Sequence, residues 1–225
     1  MRGRAKYMTA GEPPSSLGGC GSSLLGRSWR RQALTQGRIL GHYTMNFCNQ
    51  CGARVELRIP PGDHLPRFVC GQCGTIHYEN PRIVVGCVPE HAGRILICRR
   101  AIEPRRGFWT IPAGFLENNE TLQDGAARES QEEALAEVKI GSLLTIVNVL
   151  HAHQVHVFFR ATLERPEFGA GPESLEVKLV MPEEIPWSEI AFPSTEYALR
   201  RYLEDRAAGR EPHHITTIDR RLPGR

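Results

Sequence analysis

Apolar and polar positions alternate through much of residues 55–179, and twice the spacing lengthens to that of a helix. Val55, Leu57 and Ile59 stand two apart, which is strand period because successive side chains point to opposite faces. Two denser apolar runs, Ile83–Val88 and Arg94–Cys98, follow around the turn-like Pro89–Gly93 and predict a pair of strands. Phe108–Ile111 reads as a short strand stopped by Pro112. From about Thr121 to Glu137 the small and apolar residues Ala127, Ser130, Ala134 and Val138 fall on one helical stripe. Strand period returns at Leu143–Leu150, Val155–Thr162 and Leu175–Leu179. A second helix, about Ser194 to Ala207, gathers Ala198, Leu199, Tyr202 and Leu203 on one side. No internal repeat is visible. Strands interleaved with helices predict an α/β fold, a mixed sheet with helices packed on it.

Composition adds boundaries to this pattern. The 225 residues suffice for one substantial domain and a smaller module. No stretch approaches the roughly 20 apolar residues that span a bilayer, so no membrane association is expected. The net charge of +3 is unevenly spread. Residues 1–44 carry seven basic side chains against Glu12, a net +6, which leaves −3 for residues 45–225. A mildly acidic folded region argues against a nucleic-acid binder that relies on a basic surface. Residues 1–44 are rich in Gly, Ser and Arg and show no periodicity. They are expected to be a disordered extension, a transit-type peptide, or translated sequence upstream of a functional start at Met45. Residues 208–225, Arg-rich, are expected to form a flexible tail.

The seven cysteines are an odd number and no secretory apolar region precedes them. A disulfide framework is therefore not expected, and a cytoplasmic protein is. Cys87 and Cys98 sit inside strand-like runs, where cysteine acts as a small hydrophobe. The other two pairs behave differently. Cys48-x2-Cys51 and Cys70-x2-Cys73 lie 18 residues apart, the two-knuckle spacing of a tetrahedral zinc site. Gly52 and Gly74 follow the second cysteine of each pair, where a tight knuckle needs φ > 0. Four thiolates leave no open position, so this Zn2+ is expected to be structural. Residues 45–79 are thus expected to form a zinc ribbon ahead of a main domain at 80–207.

The main domain carries its chemistry on the first helix. Glu129, Glu132 and Glu133, spaced i, i+3 and i+4, share one helix face. Three acids on a helix are more often a solvated face than a site. A hard cation would relieve their repulsion, because dense oxygen ligands suit magnesium or manganese. The preceding loop decides between the two. Gly114, Glu120, Arg128, Glu129, Glu132 and Glu133 together satisfy G-x5-E-x7-R-E-U-x-E-E except at the aliphatic position, which is Ser130. At roughly 7% usage per residue type, six fixed positions coincide about once in ten million starts.

That pattern resembles the Nudix box, and from about Pro81 to Ala207 the chain is similar to the Nudix hydrolase family. The resemblance implies an α/β/α sandwich and a Mg2+- or Mn2+-dependent hydrolase that splits the diphosphate linkage of a nucleotide derivative. Glu129, Glu132 and Glu133 are then the catalytic and metal-binding residues, with the carbonyl of Ala113 completing part of the shell. Gly114, Glu120 and Arg128 become supporting residues that hold helix and loop. A ribbon beside such a domain is similar to a branch that includes NADH pyrophosphatases and an ADP-ribose/FAD pyrophosphatase-like group. The former carry S-Q-P-W-P-F-P-x-S after the box; here Leu144–Val155 reads LTIVNVLHAHQV. The phrases around Ile95–Arg105 and Gly171–Val177 look more like the latter. Where the pattern continues x-G-U, this chain has Ala134-Leu135-Ala136, without the glycine.

The implied substrate is a small nucleotide, ADP-ribose or FAD foremost, with nucleoside triphosphates and dinucleoside polyphosphates as alternatives. A non-catalytic ribbon module is a further alternative, opposed by the intact glutamates. Family members are often dimers, which allows a homodimer. Among other residues, Arg99 and Arg100, with Arg105 and Arg106 nearby, are candidates for the diphosphate. Glu173 and Glu176 are candidates to assist in deprotonating water. His151 and His153 are expected on one strand face and His156 on the other, solvent-facing or half-buried rather than a metal cluster. Trp109 and Phe108 are expected to pack in the core or on the box.

Overall fold

The computed structural model describes residues 45–219. The expectations for residues 1–44 and for 220–225 lie outside the described residues. The first module is a three-stranded antiparallel sheet of β1 (Val55–Arg58), β2 (Arg67–Cys70) and β3 (Ile76–His77), in that order. It buries Cys48, Val69, Cys70 and His77, while Phe47, Leu57, Ile59, Leu65 and Tyr78 stay exposed. The alternation in β1 therefore marks a strand but not a buried face: the strand is an edge, and among the described residues none covers Leu57.

The second sheet holds eight strands: β4 (Arg82–His91), β5 (Arg94–Arg100), β6 (Trp109–Thr110), β7 (Ala113–Phe115), β8 (Val138–Val149), β9 (Gln154–Leu163), β10 (Ser174–Val180) and β11 (His214–Ile218). The order is β10-β5-β4-β9-β8-β11, with β6 on β5 and β7 on β4. Parallel pairing of β4 with β9 and of β8 with β11 makes the sheet mixed. Ala92 and Gly93, both at positive φ, close the β4–β5 hairpin, as a two-residue turn requires. Helices α1 (Leu122–Ala134) and α2 (Pro193–Ala207) cover opposite faces. On β9, Phe158 joins the cluster with Ala198 and Leu199 of α2, and Val157 and Phe159 join that with Ala126 of α1. This is the α/β/α sandwich, and among the described residues no helix is long and apolar enough to cross a membrane.

Helix α1 starts where the sequence signals it. Thr121 caps it, accepting from the Asp124 amide at 3.1 Å while Asp124 accepts from the Thr121 amide at 3.3 Å. It ends three residues before Glu137, because Leu135 takes the left-handed conformation (φ 48°, ψ 32°), and the N–H groups of Leu135 and Ala136 turn back to the Gln131 and Ser130 carbonyls. Leucine here adopts the geometry that glycine adopts without strain. Leu135→Gly is expected to raise stability by roughly 1 kcal/mol, read as a higher urea midpoint; a lower one would show that the exposed leucine contributes more by packing than the strain removes.

Within the segment read as a flexible tail, His214–Ile218 form a strand. β11 pairs in parallel with β8 from His214↔Thr145 to Ile218↔Val149, so the sheet continues past residue 207. The signal is weak in sequence because the best hydrophobe, Ile215, points outward and is 66% exposed. What fixes the segment is buried Asp205 of α2. Its Oδ2 accepts from Arg160 Nη2 and lies 2.9 Å from His214 Nε2. Arg160 also donates to the Pro212 and Leu143 carbonyls, each at 2.8 Å. Asp205→Ala would leave the buried Arg160 guanidinium without its counter-charge. The expected loss is about 3–5 kcal/mol, measured by urea unfolding; a loss under about 1 kcal/mol would mean that the carbonyls alone satisfy Arg160.

Candidate active site

The main sheet splits between β4 and β5. These strands pair only beside their hairpin, at Glu90↔Ile95 and His91↔Arg94. Beyond that point β6 takes over on β5 (Cys98↔Thr110) and β7 on β4 (Val85↔Gly114, Gly86↔Ala113). The wedge is lined by small residues, and the acidic face of α1 closes onto it. A Cβ on Gly114 would lie 2.3–2.4 Å from the carboxylate of Glu129, so glycine leaves the carboxylate room against the strand backbone. Glu133 Oε2 accepts from the Ala113 amide at 3.1 Å. Glu129 and Glu133 are both buried, whereas Glu132 is exposed. Burial pushes the Glu133 carboxyl up to about 8, and burial also raises that of Glu129; the negative charge of Glu173 adds to both.

Arg128 ties the helix to the loop before it. Its Nε and Nη2 donate to the two oxygens of Glu120 at 3.0 and 2.9 Å, and Nη2 also to the Phe115 carbonyl at 3.1 Å. Nη1 donates to Glu129 at 2.8 Å and to Glu132 at 3.0 Å. The guanidinium holds the Glu120 carboxyl down to about 2, aided by the Glu117 amide. At the former aliphatic position, Ser130 Oγ donates to the Ala126 carbonyl at 3.0 Å, one turn back. Its buried hydroxyl is thereby satisfied.

A cleft of about 920 Å³ opens over this acidic end. Arg100 and Glu173 line it. Arg99, next along β5, points away, donating to the Gly107 carbonyl at 2.9 Å and lying 3.9 Å from Glu176. Strand alternation separates the two arginines, so of Arg99, Arg100, Glu173 and Glu176 the fold brings Arg100 and Glu173 to the cleft. Arg105 and Arg106 are exposed, and Arg105 lies over the Phe108 ring. Trp109 is buried in the core under α2. Glu173 arrives on a loop seated on the end of α1, where the Gly169 and Gly171 amides donate to the Ala134 and Glu133 carbonyls at 2.8 and 3.1 Å. A Cβ on Gly171 would lie 1.8 Å from the Glu132 carbonyl, a requirement that no local pattern announces.

The histidines are arranged otherwise than strand period suggests. Leu150–Ala152 is a 3-10 turn and His153 is left-handed (φ 53°), so His151 and His153 share no strand face. His151 and His156 both line the cleft. His156 is half-buried on β9, 2.9 Å from Ser194 Oγ and 2.8 Å from Gln154 Oε1. Gln154, Phe192 and Ser194, none of them singled out by the sequence, complete this far end.

In the first module the four cysteine sulfurs lie within 4.8 Å of one another. Cys48 and Cys73 are 3.6 Å apart, Cys51 and Cys70 3.5 Å. A tetrahedral ion with bonds of about 2.3 Å to sulfur needs edges of roughly 3.8 Å, so the cluster fits one. Each knuckle closes on its glycine: the Gly52 amide donates to Cys48 O at 2.9 Å and the Gly74 amide to Cys70 O at 3.1 Å, both glycines at φ near 75°. The Gln50 and Cys73 amides point at the sulfurs of Cys48 and Cys70. Among the described residues no other His/Cys/Asp/Glu group is gathered so tightly; between Glu129 and Glu132 lies the Arg128 guanidinium.

Comparison with known proteins agrees with this geometry. Residues 80–202 match the model of the NUDIX domain, and residues 46–79 that of the Nudix N-terminal zinc ribbon. A NUDIX hydrolase from Nitrosomonas europaea, solved by crystallography, is 52% identical, with a TM-score of 0.75 over 77% of this chain and 99% of its own. An NAD-capped RNA hydrolase of Vibrio parahaemolyticus is 40% identical over 103 residues, which are 44% of this chain and 37% of that protein. An ADP-ribose pyrophosphatase of Methanocaldococcus jannaschii is 28% identical over 45% of this chain and 62% of its own. The chain spans a little over a third of the length of the Vibrio relative.

Proposed function

The chain belongs to the NUDIX domain family, and from that premise we propose that it hydrolyses the diphosphate linkage of a nucleoside diphosphate joined to a second group, foremost ADP-ribose or FAD. The observation that carries the reading is the buried pair Glu129 and Glu133 set against Ala113–Gly114 at the base of the cleft, with Arg100 on its wall. Two buried carboxylates beside a backbone stripped of side-chain bulk fit a hard divalent cation such as Mg2+ or Mn2+. Glu129, Glu132, Glu133 and the Ala113 carbonyl would hold it. Once bound it supplies charge neutralisation for the diphosphate and lowers the pKa of the attacking water.

The chain's own groups do the rest. Arg100 presents a planar fork to phosphate oxygens. Arg128, through Glu120 and the Phe115 carbonyl, keeps the loop and the acidic helix face in register. Glu173 on its seated loop accepts the proton of the water whose oxygen joins phosphorus. The P–O–P bond breaks to give a nucleoside monophosphate and a phosphorylated second group. The four-cysteine cluster, closed to substrate, is assigned a structural Zn2+. A second reading comes from the Vibrio relative: the nicotinamide dinucleotide that caps an RNA contains the same linkage.

The test is turnover of ADP-ribose, FAD, NADH, an NAD-capped oligoribonucleotide and nucleoside triphosphates with magnesium. ADP-ribose or FAD is expected to give AMP with the highest kcat/KM. Preference for the capped oligonucleotide would favour the second reading, and no turnover by folded protein would sink both.

A further inference from the structure

The far end of the cleft carries a chain of hydrogen bonds through His156, with the Gln154 amide oxygen turned to the ring. Gln154, His156 and Phe158 alternate along β9, and all three line the cleft. His156 Nε2 lies 2.8 Å from the Gln154 amide oxygen, and Nδ1 lies 2.9 Å from the Ser194 hydroxyl. An amide oxygen only accepts, so Nε2 carries the ring proton. Burial holds the imidazolium down to about 4, so at neutral pH the ring has one proton and Nδ1 must accept from Ser194. Two consequences follow. Ser194 Oγ has spent its proton and offers only lone pairs to a ligand. Gln154 has committed its oxygen and offers its NH2 as a donor. The subsite thus pairs one acceptor with one donor.

Its setting suits a flat ring. Val149 and Ile218 supply apolar wall, brought beside Gln154 by the register Gln154↔Val149↔Ile218. Phe192 lies two residues before Ser194, with the Arg100 guanidinium 5.0 Å from its ring. Val84 of β4 faces Phe115 on one side and His156 on the other. Two strand spacings, roughly 10 Å, therefore separate the Gly114–Phe115 wall of the acidic end from His156, an interval left for a ribose.

We propose that Gln154 and Ser194, polarised by His156, form a base-reading subsite that selects amino-bearing bases, adenine and cytosine, over their oxo counterparts. In those bases the exocyclic amine donates to Ser194 while the neighbouring ring nitrogen accepts from Gln154. Hypoxanthine and uracil present the opposite order and leave both protein groups facing like groups. The proposal rests on the reading of the cleft as a nucleotide site, but not on hydrolysis. It narrows the substrate to an ADP- or CDP-linked compound.

Equilibrium binding of AMP, IMP, CMP and UMP to the full chain in magnesium buffer tests it by calorimetry, because each amino/oxo pair differs at the edge in question and not in size. AMP is expected to bind at least tenfold tighter than IMP, and CMP at least tenfold tighter than UMP. Gln154→Glu, which exchanges the donor for an acceptor, is expected to erase both ratios, with an unchanged thermal midpoint showing that the fold persists. Equal or reversed ratios in the unaltered chain overturn the proposal, as does the absence of measurable binding by all four. Reversal in particular would mean that the Gln154 amide faces the other way. Ratios retained in Gln154→Glu also overturn it. Turnover of ADP-ribose measured alongside separates the two readings: AMP preference without hydrolysis sinks the reaction, and hydrolysis without base preference sinks the subsite.

Discussion

Glu133→Gln is expected to lower kcat for the best substrate by at least about 10³-fold while the protein stays folded. In the metal-bound site the carboxylate is ionised, and its charge is what the substitution removes. Of the three glutamates, Glu133 is the most deeply buried and the one bonded to the backbone opposite it, at the Ala113 amide. A divalent ion held there would lose one of its anionic oxygens, and with it the activation of the attacking water, which lowers kcat. The fold should not suffer, because the glutamine carbonyl can accept the same N–H and a neutral amide is less costly to bury than a carboxylate. Steady-state kinetics beside a thermal melt check both halves. Activity within tenfold of the unaltered chain would remove Glu133 from the site. A melt lowered by many degrees would instead make the residue a structural one.

Glu133 could be named from sequence, together with Glu129 and Glu132, because the signal is local: the loop that begins at Gly114 and the helix spacing that ends at Glu133 lie in one short stretch of chain. Three carboxylates at i, i+3 and i+4 must share a helix face whatever the sheet does. The same holds for the cysteine knuckles, whose geometry is set within four residues. The far end of the cleft is different. Gln154 starts β9, Ser194 lies in the first turn of α2 and Ile218 ends β11; they meet because β8 pairs with β9 on one side and in parallel with β11 on the other, while α2 packs back onto β9. Parallel pairing depends on crossovers, which leave no motif at either partner. His151 and His153 show the converse failure. Two histidines two apart suit a strand, but the turn at Leu150–Ala152 interrupts the alternation before it reaches them. Arg99 and Arg100 were indistinguishable by residue type and are told apart only by which face of β5 each takes.

The ribbon offers the second large effect, and there the choice of cysteine matters. Its three short strands bury Cys48, Val69, Cys70 and His77 and leave five large hydrophobes exposed, far too little apolar burial to offset the entropy of ordering residues 46–79. If a metal supplies the missing stabilisation, binding free energy becomes folding free energy for this module, and every sulfur counts alike. Cys51→Ser, at an exposed position, is then expected to be as damaging as Cys70→Ser, at a fully buried one. In both, amide protection in β1–β3 collapses by hydrogen exchange and bound zinc falls below one per chain, while β4, β8 and β9 keep their protection. Packing alone predicts another result: Cys70→Ser would loosen the sheet and Cys51→Ser would leave it intact. Protection surviving in Cys51→Ser with zinc lost would therefore dismiss the ion as the ribbon's core.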